Sequence, residues 1–153
     1  MKIPLRIAFL DRDGALIFEP QDTYQVDRID QLQILPGVVE GLKEMIRRGY
    51  TLVMVTNQDG LGTEKYPQKN FDTVQGRLLE TLQAQGVVFE EIFVCPHIKE
   101  DECPCRKPKT GLVNAFLSRQ EINKANSFMY GDRETDRQFA QNLGIRFIKA
   151  ETN

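Results

Sequence analysis

Four short apolar runs, each closed by a residue able to do chemistry, constrain this chain more than any other feature. Ile7–Leu10 is followed by Asp11, Leu52–Val55 by Thr56, the run ending at Val94 by Cys95, and Ser127–Tyr130 by Gly131 and Asp132. Runs of this length bounded by turn residues read as buried strands. The pattern places strands at about 6–11, 51–55, 91–95 and 127–130, with a last one over 145–150. Helical spacing appears between them. Val38, Val39, Leu42, Met45 and Ile46 share a face after Pro36-Gly37. Phe71, Val74, Leu78 and Leu82 do so in 68–85, and Leu112, Val113, Phe116 and Leu117 in 110–119, with a further helix from Glu134 to Asn142. Strands alternating with helices predict an α/β domain built on a mostly parallel sheet. Strand ends of one sense then lie on one edge, where such sheets bind ligands. Asp11, Thr56, Cys95 and Asp132 are expected to meet there. Residues 18–35 show no sustained period and read as a flap after the first strand. With 153 residues the chain is expected to form a single domain, 1–153.

The first strand leads into Asp11-Arg12-Asp13-Gly14. Two carboxylates this close repel unless a cation or a proton lies between them. Asp11 with Asp132 can hold a hard divalent cation through oxygen, and Mg²⁺ suits a few carboxylates, water and a phosphate. Thr56 offers a hydroxyl to phosphate oxygens, and Lys107 a point charge. The set suits phosphoryl transfer: Asp11 attacks phosphorus, and Asp13 protonates the leaving oxygen and then activates water. Each residue alone has a plainer reading, as a turn, a strand cap, a helix N-cap or a surface charge. The joint pattern does not.

All three cysteines and the only histidine fall within eleven residues, as Cys95-Pro96-His97 and Cys103-Pro104-Cys105. An odd cysteine count argues against a disulfide framework. Four soft or borderline donors suit tetrahedral Zn²⁺, and four protein ligands leave no open position, so the metal would be structural. It would staple the loop 96–107 that ends at Lys107.

Asp11-Arg12-Asp13-Gly14, Thr56-Asn57-Gln58, Arg106-Lys107-Pro108 and Gly131-Asp132-Arg133-Glu134-Thr135-Asp136 resemble the four ordered motifs of the haloacid-dehalogenase-type phosphatases. The resemblance implies a Rossmann-like sheet with helices on both faces, a catalytic Mg²⁺ and an aspartyl-phosphate intermediate. It implies Asp11 as nucleophile, Asp13 as acid/base and Thr56 and Lys107 as phosphoryl stabilisers. Asp132 is implied as metal ligand together with Asp11 and the Asp13 carbonyl, and Asp136 as outer support. The family usually has Thr after the Asp-x-Asp-Gly motif. Here Ala15 stands in that place, and tuning rather than loss of function is expected.

The zinc-type loop resembles a subgroup with two substrate classes, histidinol phosphate and heptose 1,7-bisphosphate. The stretches 26–32 and 56–63 look like the histidinol-phosphate phosphatase domain, commonly half of a bifunctional histidine-biosynthesis enzyme. The other half, a dehydratase, lies outside this chain. Glu19, Asp22 and Gln25 on the flap, with Asn57 and Arg106, are the expected substrate contacts. The rival of another class is an inactive zinc module that binds partners. A net charge of -2 gives no electrostatic reason to expect nucleic acid. No apolar run suggests a signal peptide or membrane span, so a cytoplasmic enzyme acting on a small phosphate ester is expected.

Overall fold

The computed structural model describes residues 3–151. Five strands, β1 (Ile7–Leu10), β2 (Thr51–Asn57), β3 (Glu91–Cys95), β4 (Phe128–Gly131) and β5 (Arg146–Lys149), form one sheet in the order β3-β2-β1-β4-β5. Every pairing is parallel. Helices α1 (Val38–Arg47), α2 (Gln68–Gln83), α3 (Gly111–Arg119) and α4 (Glu134–Leu143) cover both faces. The α/β architecture expected from the alternation is the one observed.

The central strand shows why its sequence does not alternate. Ala8 and Leu10 point into a core shared with Val38 and Leu42 of α1 and Val74, Leu78 and Leu82 of α2. Ile7 and Phe9 point into the opposite core, with Val113 and Phe116 of α3 and Phe139 and Leu143 of α4. A strand buried on both faces needs apolar residues at every position. Each fully buried large side chain contributes about 1.5–3 kcal/mol.

Element ends differ from the sequence reading by a residue or two, and one helix position differs in burial. The first strand stops at Leu10, although Asp11 N still donates to Tyr130 O at 3.0 Å. Ile46 is 38% exposed, leaving Val38 and Leu42 as the buried positions of α1. The flap is irregular, with a single 3-10 turn at Ile29–Gln31, yet it is not loose. Leu16, Ile17, Val26 and Leu35 are buried. The backbone bonds Leu35 N–Leu16 O (3.0 Å) and Phe18 N–Gln33 O (2.8 Å) tie its two ends together. Apolar anchors and paired ends fix the flap's root, while its polar tip faces the strand edge.

Candidate active site

The carboxyl edge of β1, β2 and β4 brings Asp11, Asp13, Thr56 and Asp132 together, and the loop after β3 adds Lys107. Lys107 is buried, with Nζ 3.0 Å from Asp11 Oδ1 and 2.7 Å from Asp136 Oδ1. Burial alone would lower its ammonium, but Asp11 and Asp136 outweigh that and hold it above the ordinary value. Its backbone is clamped by Asn57, whose Oδ1 accepts from Lys107 N (3.0 Å) and whose Nδ2 donates to Lys107 O (3.2 Å). Arg106 pairs with Asp59 through two nitrogens, at 2.9 and 3.2 Å. Asn57 and Arg106, expected at the substrate, are thus both engaged in fixing the loop that carries Lys107.

Two carboxyls pair with that ammonium, and a third, Asp132, stands beside them. Oxygens of Asp11, Asp132 and Asp136 lie within 4.8 Å of one another. Asp136 is spoken for, since Lys107 and the Arg133 backbone N–H both donate to it. Asp132 Oδ1 is buried with no hydrogen-bond partner. Burial first, and then the Asp11 charge, push both Asp132 and Asp136 up, Asp136 to about 7 despite Lys107. An orphaned carboxylate oxygen amid surplus negative charge is a fit for a hard cation. Asp11, Asp132 and the Asp13 carbonyl are the residues that could hold it.

Asp13 sits between two donors, Arg12 Nε on Oδ1 at 3.0 Å and Gln58 Nε2 on Oδ2 at 2.8 Å. Gln58 Nε2 also reaches Thr56 Oγ1 at 2.9 Å. Arg12 and Gln58 both stand inside the sequence motifs, but neither has a role there, where Arg12 is a spacer between aspartates. Its signal is an arginine inside a run that must be buried, which demands internal partners. Ala15 is fully buried, so its methyl lies among packed atoms.

A 230 Å³ cleft opens beside Asp13, lined among others by Glu19, Gln25, Asn57, Tyr66 and Arg133. Glu19 pairs with Arg133, and burial raises its carboxyl even so. Gln25 donates to Lys65 O and to Asp27. Asp22 does not line the cleft; it is exposed and accepts from Thr23 N at 2.8 Å. The flap therefore brings two of its three expected contacts to the cleft. It also brings Tyr24, 59% exposed at φ 56°, while the turn between β4 and α4 adds Arg133; neither was anticipated as a contact.

Cys95, His97, Cys103 and Cys105 converge as the spacing suggested, with donor atoms within 4.8 Å of one another. Their sulfur–sulfur distances are 2.9, 3.3 and 3.6 Å, and His97 Nδ1 lies 3.2 and 3.6 Å from two sulfurs. The thiols are free. Sulfurs around a tetrahedral zinc stand about 3.8 Å apart, so a small opening of this cluster would admit one. The loop packs on the start of α3, where Gly111 N donates to Pro104 O at 3.0 Å. A Cβ at Gly111 would overlap that carbonyl.

A parallel sheet with this carboxylate pair, lysine and acidic loop defines a phosphatase fold of the haloacid-dehalogenase type. The chain belongs to the family described as Polynucleotide kinase 3 phosphatase, whose sequence profile matches residues 6–152. It is 44% identical over 143 residues to the Histidine biosynthesis bifunctional protein HisB of Legionella pneumophila (strain Lens), covering 94% of this chain and 40% of that protein. It is 41% identical over 151 residues to the same-named protein of Buchnera aphidicola subsp. Schizaphis graminum, covering 97% and 42%. The chain thus spans about two fifths of the length of these relatives. Among solved structures it is similar to the D,D-heptose 1.7-bisphosphate phosphatase from B. bronchiseptica complexed with magnesium and phosphate. There the TM-score is 0.86 at 28% identity, over 97% of this chain and 82% of that one. No helix among the described residues is long and apolar enough to cross a membrane.

Proposed function

We propose that this chain is a Mg²⁺-dependent phosphomonoester hydrolase that converts histidinol phosphate to histidinol and phosphate, in the cytoplasm. The observation that carries the reaction is the meeting of Asp11, Lys107 and the orphaned Asp132 oxygen at one strand edge. Asp11 attacks phosphorus to form an aspartyl phosphate. Asp13, held by Arg12 and Gln58, gives a proton to the leaving oxygen and then takes one from the water that cleaves the intermediate. The Lys107 ammonium and the Thr56 hydroxyl meet the equatorial oxygens as charge spreads over them. Mg²⁺ held by Asp11, Asp132 and the Asp13 carbonyl would supply further charge neutralisation there. Zn²⁺ on Cys95, His97, Cys103 and Cys105 would hold the loop whose end is Lys107. The intact set of groups speaks against the inactive zinc module.

The substrate follows from the HisB relatives and the cleft. In the cleft wall the carboxylates of Asp13 and Glu19 and the Gln25 amide stand against one cation, Arg133, a balance that suits an amine and an imidazole better than a second phosphate. The relatives are named bifunctional and this chain matches about two fifths of their length, which supports a second activity, the dehydratase, working beside this chain as a second domain or a separate protein. A second reading, heptose 1,7-bisphosphate, draws on Arg133, a cation on the cleft wall, but Glu19 already neutralises it. The test compares kcat/KM for histidinol phosphate and heptose 1,7-bisphosphate, with Asp11→Asn as the chemical control. Histidinol phosphate is expected to be the better substrate, and Asp11→Asn to lose at least about 10³-fold in kcat while staying folded. Hydrolysis of the heptose ester alone would overturn the substrate; an active Asp11→Asn would overturn the covalent mechanism.

A further inference from the structure

Gln58 lies between two groups the proposed reaction uses, and its surroundings admit one orientation of its amide. The side chain is buried. Oε1 accepts from the Tyr66 hydroxyl at 2.7 Å and from Arg12 Nη2 at 3.3 Å. A guanidinium has donors and no acceptor, so a flipped amide would set N–H against N–H. Nε2 is therefore committed to Asp13 Oδ2 (2.8 Å) and Thr56 Oγ1 (2.9 Å). Arg12 is locked in turn. It is fully buried, with Nε on Asp13 Oδ1 (3.0 Å), Nη1 on Gln75 Oε1 (3.1 Å) and its guanidinium 5.0 Å from the centre of the Phe71 ring. Burial pushes the Tyr66 phenol up to about 12, which keeps it a donor at neutral pH.

We infer that Gln58 is a positioning residue, its amide fixed by Arg12 and Tyr66. One N–H then sets the Asp13 carboxylate, and the other turns the Thr56 hydroxyl proton toward the phosphoryl group. The inference rests on the proposed reading of Asp13 as acid/base and Thr56 as phosphoryl contact. A hydroxyl that accepts one bond still has its own proton to give. With Gln58 donating to its oxygen, the Thr56 hydroxyl keeps its own proton for the phosphoryl group. The device needs a neutral amide, because a carboxylate at 58 would have no N–H to offer and would face Asp13 with like charge.

Gln58→Glu keeps the shape and still offers Arg12 and Tyr66 an acceptor. Its kcat on an aryl phosphate is expected to fall about 10²-fold with KM within about threefold of wild type, the mark of misplaced catalytic groups rather than lost binding. Tyr66→Phe, which frees one side of the amide, should lower kcat by a smaller factor in the same way. Gln58→Leu tests the same loss without added charge, and serves if the glutamate variant does not fold. In an Asp13→Asn background the Gln58 effect should shrink to a few-fold, because residues that act through one another are not additive. Near wild-type kcat in the folded Gln58 variants, or an undiminished effect in that background, would overturn the inference. If Asp13→Asn alone keeps wild-type turnover, the reading of the reaction fails instead.

Discussion

Gly14 adopts φ 79°, and a Cβ there would run into Asp132 Oδ2. The two strand ends approach so closely that only a hydrogen fits between backbone and carboxylate. Gly14→Ala is expected to destabilise the protein by about 1–3 kcal/mol, from backbone strain and overpacking together. It should also weaken activation by Mg²⁺, because the displaced carboxylate is the proposed ligand. Urea unfolding and a Mg²⁺ titration of activity measure the two effects; an unaltered pair of curves would mean Asp132 has room to spare. At this scale the sequence was informative where chemistry repeats in motif form, as for Asp11, Asp13, Thr56, Lys107 and Asp132. It assigned no role to Arg12 and Gln58, though both lie in the motifs, nor to Tyr66, because their roles depend on side chains 46 and 63 positions apart meeting in the interior. It misjudged Asp22, because a polar residue on a flap says nothing about which way the flap turns it.

Among the elements, the loop between β3 and α3 matters most. Cys95 closes β3, Cys105 stands two residues before Lys107, and the Asn57 clamp joins the loop to the end of β2. A metal bound by the four side chains would therefore order the loop as it binds. Zinc is expected near one equivalent per chain. Cys103→Ser should lower the zinc content, the thermal midpoint and the turnover together, the last through a loosened Lys107. Elemental analysis beside calorimetry tests this, and an active, stable variant with its zinc gone would uncouple the loop from the lysine. Helices and strands were legible because apolar spacing sets them, and their ends moved by only a residue or two. The flap's buried anchors were not legible, since Leu16, Ile17, Val26 and Leu35 follow no period. The docking of this loop onto Gly111 was equally hidden, because close backbone approach leaves only a glycine as its trace.

Taken as a whole, the molecule gathers surplus negative charge where β1 meets β4. A cation bound there would tie the two strands as well as neutralise the carboxyls. Mg²⁺ at 100 times its dissociation constant should stabilise the protein by about 2.7 kcal/mol, seen as a raised thermal midpoint. Asp132→Ala should lose most of that rise. No rise with wild-type protein would count against a cation at this edge. The strand order has a further consequence, for synthesis. The hydrogen bond from Ile7 N to Ser127 Oγ closes a span of 120 positions, and β4 is what covers one flank of β1. A chain emerging from the ribosome has made Asp11 long before it has made Asp132, and until then β1 carries an open, wholly apolar edge. Such an edge invites pairing with other chains. Messages cut short before residue 128 would thus yield no partial enzyme, only sticky fragments for chaperones and proteases to clear.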